Sequence, residues 1–205
     1  MDALPATLCL TADADFIDLA HAELAAAAPD ARVITMLEPG LLLVDGVDFF
    51  VLAAQWANEP PIFVRHIAPV MAVQPLAEWM VTEPVNLESL AETVQTDLLD
   101  FVEPTLPFSV QTRVLGMPDV KPFDVNRLLA GLISDAAGAP LNVRTPEQIL
   151  SVLFTDLPKL GKLPDWGGGY ALLGISPALY NLSDWAGGMR RYAREPERIS
   201  RSEFK

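Results

Sequence analysis

Short apolar runs alternate with two helical segments over the first 70 residues, and this alternation restricts the folds that the chain can adopt. Four runs are short, apolar and bounded by Pro, Gly or Asp, as buried β-strands are. They cover residues 5–12, 31–38, 41–45 and 62–70. Apolar residues at helical spacing predict helices over 14–28 and 48–58. The predicted order of elements is therefore β-α-β-β-α-β.

This order is that of the ferredoxin-like split βαβ fold. Residues 73–85 contain Pro75 and Pro84 without a clear period, and we interpret them as a linker. A second set of elements follows, with predicted helices over 86–102 and 124–137 and strands over 108–115, 148–155 and 170–175. The predicted fold class is α+β, with a ferredoxin-like domain over 1–72 and an α/β domain over 86–180.

The second domain also carries signals for the ends of its elements. Asp124 is the predicted N-cap of the helix over 124–137, because a short carboxylate can accept the first free amide hydrogens. Gly138 is the predicted residue after the helix, where glycine is favoured. Residues 141–146 are predicted to be extended before the strand over 148–155.

Charge is segregated along the chain. The 205 residues have a net charge of −13, although 51% of them are hydrophobic. Residues 1–102 hold 16 acids and two bases, which gives −14; residues 103–189 give −2, and residues 190–205 give +3. Such asymmetry indicates modules with separate roles. The acidic first half argues against RNA binding there, whereas residues 181–205 are predicted to form a basic linker.

Several classes of protein are excluded or disfavoured by composition. No uninterrupted apolar stretch of about 18 residues occurs, so no membrane span is predicted. The single cysteine, Cys9, cannot form an intramolecular disulfide, which is typical of proteins in the reducing cytoplasm. We therefore predict a cytoplasmic location.

No complete active site can be assembled from the sequence. His21 and His66 have no neighbouring cysteine or helical partner, so no metal site is predicted. Cys9 lies between apolar residues of a strand and is interpreted as a buried side chain. The glycines 167–169 precede a strand-like run, which favours a flexible hairpin loop over a phosphate cradle. We predict no catalytic residue and no cofactor site in this chain.

Basic residues are the clearest candidates for a binding function. Arginine suits phosphate groups, and tyrosine can stack on a base. The candidate RNA-binding residues are Arg190, Arg191, Tyr192 and Arg194 near the carboxyl terminus, and Arg113, Lys121, Arg127 and Arg144 in the second domain. A solvated linker and ordinary surface charge explain these residues equally well.

Three segments of the second domain resemble a THUMP domain. They are FSVQTRVLG (108–116), the run from Phe123 to Asp156, and YALLGIS (170–176), with an Asn-x-x-x-Pro run from Asn142 to Pro146. THUMP domains occur in RNA-modifying enzymes, bind RNA and commonly lie beside a ferredoxin-like domain. The resemblance therefore implies that residues 86–180 bind structured RNA.

Residues 60–70 and 177–205 are similar to the N-terminal part of FtsJ-like RNA ribose 2′-O-methyltransferases of the RlmM-like group. The ISRSEFK segment (199–205) leads directly into the catalytic domain in that group. This resemblance implies S-adenosylmethionine as the cofactor of a catalytic domain that lies outside this chain. It also implies rRNA, in preference to tRNA, as the partner, and a chain that is inactive by itself.

Two alternatives of other classes stay open at this point. The acidic first half is also compatible with a protein-interaction module that docks a basic or ribosomal partner. A ferredoxin-like domain is further compatible with a regulatory role that binds a small ligand.

Overall fold

Two four-stranded sheets organise the chain. The computed structural model describes residues 6–37, 40–77, 87–116, 120–156 and 167–178. One compact unit is built from residues 8–67, and a second is built mainly from residues 68–178. The predicted basic linker over 181–205 lies outside the described residues.

The first unit contains four strands and two helices in the predicted order. They are β1 (Leu8–Ala12), a 3-10 turn (Ala14–Phe16), α1 (Ile17–Ala27), β2 (Arg32–Leu37), β3 (Leu41–Asp45), α2 (Phe49–Asn58) and β4 (Val64–Pro69). The strand order is β2-β3-β1-β4, and β3 runs antiparallel to both β1 and β2. Because β1 and β2 are therefore parallel and flank α1 in the sequence, the first unit has the ferredoxin-like arrangement that the sequence predicts.

Local side-chain chemistry fixes the elements of the first unit. The Asp48 carboxylate accepts a hydrogen bond from the backbone nitrogen of Val51 at 3.0 Å and thereby begins α2. The Glu23 carboxylate of α1 accepts from the backbone nitrogens ahead of and within β4, those of Ile62, Phe63 and Val64, at 2.6, 2.9 and 3.2 Å. Glu23 therefore holds the start of β4 against α1.

The second unit contains two helices that pack against its own four-stranded sheet. The elements are β5 (Ala72–Ala77), α3 (Glu88–Thr93), a π-helical turn (Val94–Leu98), a 3-10 turn (Leu99–Phe101), β6 (Phe108–Leu115), α4 (Pro122–Ala137), β7 (Gln148–Thr155) and β8 (Gly167–Pro177). The strand order is β5-β8-β7-β6. Only the β6–β7 pair among these described strands is parallel, and α4 is its crossover helix.

Alternate residues of this sheet form the core with both helices. Phe108, Val110, Leu150, Val152 and Phe154 are buried on the face of β6 and β7 that packs against the helices. The helices contribute apolar residues at helical spacing: Leu90, Val94 and Leu98 from the α3 segment, and Val125, Leu129 and Ile133 from α4. The predicted strands over 108–115 and 148–155 are confirmed with these bounds.

Residues 73–77 are a correction to the predicted linker. They belong to β5, which pairs antiparallel with β8 at the edge of the second sheet. Pro75 obscured this strand in the sequence, because proline cannot donate a ladder hydrogen bond and is tolerated only on an edge strand. The second unit therefore begins earlier than residue 86.

Two further predictions need correction in the same unit. Helix α4 begins at Pro122 after Lys121, so Asp124 lies in the first turn and is not the N-cap. Proline is favoured at this first position because its missing amide hydrogen would have no helical partner. The glycines 167–169 begin β8 and are not a hairpin loop. A Cβ atom on Gly169 would lie 2.2 Å from the Thr155 carbonyl oxygen, so close strand packing requires glycine there.

The prediction for the residue that follows α4 is confirmed. Gly138 follows α4 in the left-handed conformation with φ 72°, as predicted. The prediction that residues 141–146 are extended needs correction: Leu141 forms an isolated parallel bridge with Phe108, but residues 143–145 bend, because the Asn142 side chain bonds the backbone nitrogens of Arg144 and Thr145.

Candidate interaction surfaces of the second unit

The predicted RNA-binding residues divide into two groups. Arg113, Lys121, Arg127 and Arg144 lie in the second unit, whereas Arg190, Arg191, Tyr192 and Arg194 lie outside the described residues. The four described residues occupy different parts of the unit.

Lys121 and Arg144 lie at opposite ends of the second unit. Lys121 directly precedes α4, at the carboxyl ends of β6 and β7, and Arg144 lies in the loop that enters β7 at its amino end. Helix α4, which runs from one end to the other, has 16 residues and is about 24 Å long at 1.5 Å per residue. Both side chains are exposed. These two residues therefore do not form a single cluster.

Arg113 and Arg127 lie on opposite sides of the second sheet. Arg113 alternates with Val110 and Val114 on β6 and so points away from α4. Its guanidinium donates a hydrogen bond to the Gln111 side chain at 3.3 Å. Arg127 is exposed on α4. The structure thus separates Lys121 from Arg144 and Arg113 from Arg127, so the four predicted residues do not form one basic patch.

Arg144 is presented by a well-defined turn. The Asn142 side-chain oxygen accepts hydrogen bonds from the backbone nitrogens of Arg144 and Thr145 at 3.1 and 3.0 Å, and its amide donates to the Thr145 hydroxyl at 2.8 Å. The backbone nitrogen of Asn142 also donates to the Phe108 carbonyl at 2.8 Å. The turn that these bonds form carries two exposed side chains, Arg144 and Val143, and Val143 is 75% exposed. Asn142 accordingly organises the Asn-x-x-x-Pro run.

The Gln148 side chain holds the backbone of residues 103–106, the segment before β6. Its side chain is 5% exposed and donates to the carbonyl oxygens of Glu103 and Leu106 at 2.7 and 2.8 Å. Its side-chain oxygen accepts from the Glu103 backbone nitrogen at 3.0 Å. A buried amide with all of these partners holds the segment before β6 against the start of β7. Sequence reasoning did not identify Gln148, because a lone glutamine carries no motif.

An open groove lies between α3 and α4. It has a volume of about 710 Å³, and we call it the α3–α4 groove. Its lining residues are Leu87, Glu88, Ala91, Asp124, Arg127, Leu128, Gly131, Leu132 and Asp135. The floor and walls are largely apolar, and the charged residues are three acids and one base. Arg127 therefore belongs to a surface with a net charge of −2, which does not favour phosphate groups.

Two irregularities in the sequence of α4 are signals of this groove. Gly131 interrupts the interior of the helix, and Asp135 places a negative charge in the last turn. Both residues line the α3–α4 groove. A search for residues that disagree with local helix preferences would have found them.

Both arginines of the first unit form ion pairs with acids of the same unit. Arg32 and Arg65 are the two basic residues among residues 1–102. Arg32 forms an ion pair with Asp45, and Arg65 forms one with Asp13, in which its Nε lies 3.1 Å from the carboxylate. The acids of this region far outnumber these two bases, and several of them, such as Asp15, Asp18 and Asp30, are exposed.

The described part of the chain offers few features of other classes of site. No three His, Cys, Asp or Glu side chains among those residues come together in a way that suits a metal ion. Cys9 is a buried cysteine outside any disulfide, since the chain has no second cysteine. Since the glycines 167–169 lie inside β8 and not before a helix, they do not fit a nucleotide or S-adenosylmethionine cradle. No described helix is long and apolar enough to cross a membrane.

Comparisons with known proteins identify the fold. No protein-family model and no curated protein matches the chain. The structure of TrmN from Thermus thermophilus matches 83% of this chain with a TM-score of 0.57 and 18% identity. PH1313 from Pyrococcus horikoshii matches 83% with a TM-score of 0.51 and 7% identity. A predicted N6-adenine-specific DNA methylase from Listeria monocytogenes matches 82% with a TM-score of 0.52 and 14% identity.

The matches cover only part of each of those proteins. They span 46% of the TrmN chain, 54% of PH1313 and 39% of the Listeria protein, so this chain spans about half of their length or less. At these identities the likeness establishes the fold. The predicted fold class, a ferredoxin-like unit followed by a THUMP-like α/β unit in an α+β protein, is confirmed.

Proposed function

We propose that this chain is the RNA-recognition region of an RNA-modifying enzyme and positions structured RNA for a catalytic domain. The observation that carries the proposal is the fold, which matches TrmN over 83% of this chain but over only 46% of TrmN. A region of that extent, without a cluster of catalytic groups among its described residues, suits substrate positioning better than catalysis.

The finer proposal follows the sequence resemblance. We propose an S-adenosylmethionine-dependent methyltransferase that acts on a ribose 2′-oxygen, with rRNA preferred to tRNA as substrate, in the cytoplasm. S-adenosylmethionine would be held by the catalytic domain, because the described glycines of this chain lie inside a strand. This chain alone should transfer no methyl group.

The turn around Arg144 is the best described candidate for RNA contact. It presents an exposed arginine on a backbone that the Asn142 side chain holds in place. A positioned guanidinium can pair with phosphate oxygens in two-bonded geometry. Arg190, Arg191, Tyr192 and Arg194 are proposed as RNA contacts from their residue types alone, and Lys121 would contact RNA separately, at the other end of α4.

Salt-dependent binding tests the proposal. The affinity of the full chain for a fluorescein-labelled RNA hairpin would be measured by anisotropy over a series of salt concentrations. Phosphate contacts predict a linear decrease of log K with log salt. Arg144→Gln should reduce that slope by about 1. Arg32→Gln is the matched control, because Arg32 lies in the acidic first unit and pairs with Asp45.

Four results would contradict the proposal or one of its parts. The first is no RNA affinity at low salt, and the second is an equal effect of Arg144→Gln and Arg32→Gln. Unchanged affinity in the double variant Arg190→Glu, Arg191→Glu would remove the carboxyl-terminal segment from the RNA contact. Methyl transfer to RNA by the purified chain would refute its assignment as a non-catalytic region.

A further inference from the structure

The α3–α4 groove contains a glycine that the fold does not require. Gly131 is exposed in the interior of the 16-residue helix α4. Apart from its chain neighbours and the backbone of its own helix, no heavy atom lies within 4 Å of a Cβ atom built on Gly131, and Gly131 does not have a positive φ angle. Glycine weakens a helix interior relative to alanine. Neither packing nor backbone conformation within the described chain therefore accounts for this residue.

The same groove contains a carboxylate that weakens its own helix. Asp135 is exposed in the last turn of α4, where the helix dipole disfavours negative charge. No basic residue lies in that turn. Gly131 and Asp135 are four residues apart and lie on the same side of the helix, facing the groove. Residues that break local preferences without a gain inside the fold are expected at functional surfaces.

The groove chemistry identifies the kind of molecule that would benefit from both residues. Leu87, Leu128 and Leu132 supply apolar surface, and Leu128 is 39% exposed. The missing side chain at Gly131 allows another backbone to approach α4 closely. Glu88, Asp124 and Asp135 outnumber the single Arg127, so the rim attracts positive charge and repels phosphates.

We propose that the α3–α4 groove docks an amphipathic helix of a partner protein, with an apolar stripe flanked by Lys and Arg. This is the helix-in-groove mode of recognition, in which apolar side chains give affinity and flanking charges give orientation. A single acidic residue on the partner helix would pair with Arg127 and set its direction. The proposal does not rest on RNA binding by this chain.

A designed peptide tests the proposal directly. The probe is a fluorescein-labelled, amidated helix of about 18 residues, long enough to be helical in water. It carries Leu at positions that repeat every three and four residues, Ala between them, and Lys on both flanks. A second probe has Glu in place of every Lys. The full chain should bind the Lys probe in a salt-dependent manner and should not bind the Glu probe.

Substitutions in the groove should weaken binding of the Lys probe. Gly131→Leu fills the groove and should raise the Kd by about tenfold or more. Ala136→Leu is the matched control, because Ala136 is exposed on the same helix but does not line the groove. Asp135→Lys should also raise the Kd, and Asp97→Lys is its control at an exposed acid outside the groove.

Several results would overturn the proposal. They are no binding of the Lys probe, equal binding of both probes, or equal effects of Gly131→Leu and Ala136→Leu. Circular dichroism and thermal unfolding of each variant would separate lost binding from lost folding. If an RNA hairpin displaces the Lys probe and Gly131→Leu weakens RNA binding, the groove is an RNA site and the inference is wrong.

Discussion

Gly131→Ala should make the second unit more stable, which is an unusual expectation for a change at a candidate binding surface. The new Cβ atom would meet no heavy atom within 4 Å beyond its chain neighbours and its own helix backbone, so it would displace no packed group. Gly131 does not have a positive φ angle, so alanine adopts its conformation without strain. The change therefore removes only the conformational freedom of glycine.

The size of the gain follows from helix propensity. Alanine is more favourable than glycine by about 0.8–1 kcal/mol in a helix interior. For a domain of this size, such a gain corresponds to a rise in Tm of about 4–8 °C. The free energy of unfolding of a typical domain is about 5–15 kcal/mol, so a gain of this size is measurable.

Native-state hydrogen exchange is the appropriate assay, because the two units can unfold separately. Amides of β6, β7 and α4 should show a higher free energy of opening in Gly131→Ala, while amides of β1 and β3 should not change. Gly174→Ala is the matched comparison. Its Cβ would lie 1.9 Å from the Pro69 carbonyl oxygen, so it should destabilise the same unit by about 1–3 kcal/mol or more.

Unchanged or lower protection of α4 in Gly131→Ala would refute the reasoning. That result would mean that glycine at this position is needed by the fold itself. The inference that Gly131 serves an external partner would then lose its main support.

Three further changes test other parts of the structure. Gln148→Leu should destabilise the second unit by about 1–3 kcal/mol, measured by urea unfolding, because it leaves the Glu103 and Leu106 backbone groups without their partner. Glu23→Ala should lower the stability of the first unit by about 1.5–3 kcal/mol, since the Glu23 carboxylate accepts from three backbone amides, whereas Glu59→Ala at an exposed acid should not. Asp135→Asn should raise the stability of the second unit by about 0.3–1 kcal/mol in the same urea assay through the helix dipole; a decrease would show that Asp135 has a stabilising partner.

The sequence predicts elements best where apolar runs end at strong turn residues. The strand β3 lies between Gly40 and Gly46, and its predicted bounds of 41–45 are those of the structure. Gly40 is required there, because its Cβ would lie 2.0 Å from the Ala12 carbonyl oxygen. In such places the local sequence and the tertiary packing demand the same boundary.

Prediction was wrong where tertiary pairing overrides local preference. Pro75 reads as a break in the sequence, but β8 supplies a partner strand that accommodates it at the sheet edge. The glycines 167–169 read as a loop, but the neighbouring carbonyl of Thr155 needs the space that a side chain would occupy. Neither partner is close in the sequence, so local reasoning could not weigh these contacts.

The spatial arrangement of the candidate site could not be predicted from the sequence. The residue types Arg113, Lys121, Arg127 and Arg144 indicate phosphate binding one by one, yet their spatial separation depends on the length and direction of α4. The acidic neighbours of Arg127 come partly from α3, about 40 residues earlier in the chain. A list of basic residues therefore cannot reveal that one of them belongs to an acidic groove.

The opposite charges of the Arg144 turn and the α3–α4 groove make the two proposals separable by experiment. Salt weakens both interactions, so a salt dependence alone cannot tell them apart. Substitutions that change the charge of one surface can distinguish the two interactions. Arg144→Gln should weaken RNA binding and leave the Lys probe unaffected, while Asp135→Lys should weaken the Lys probe without weakening RNA binding. If one substitution weakens both ligands equally, a single surface binds both, and one of the two assignments is wrong.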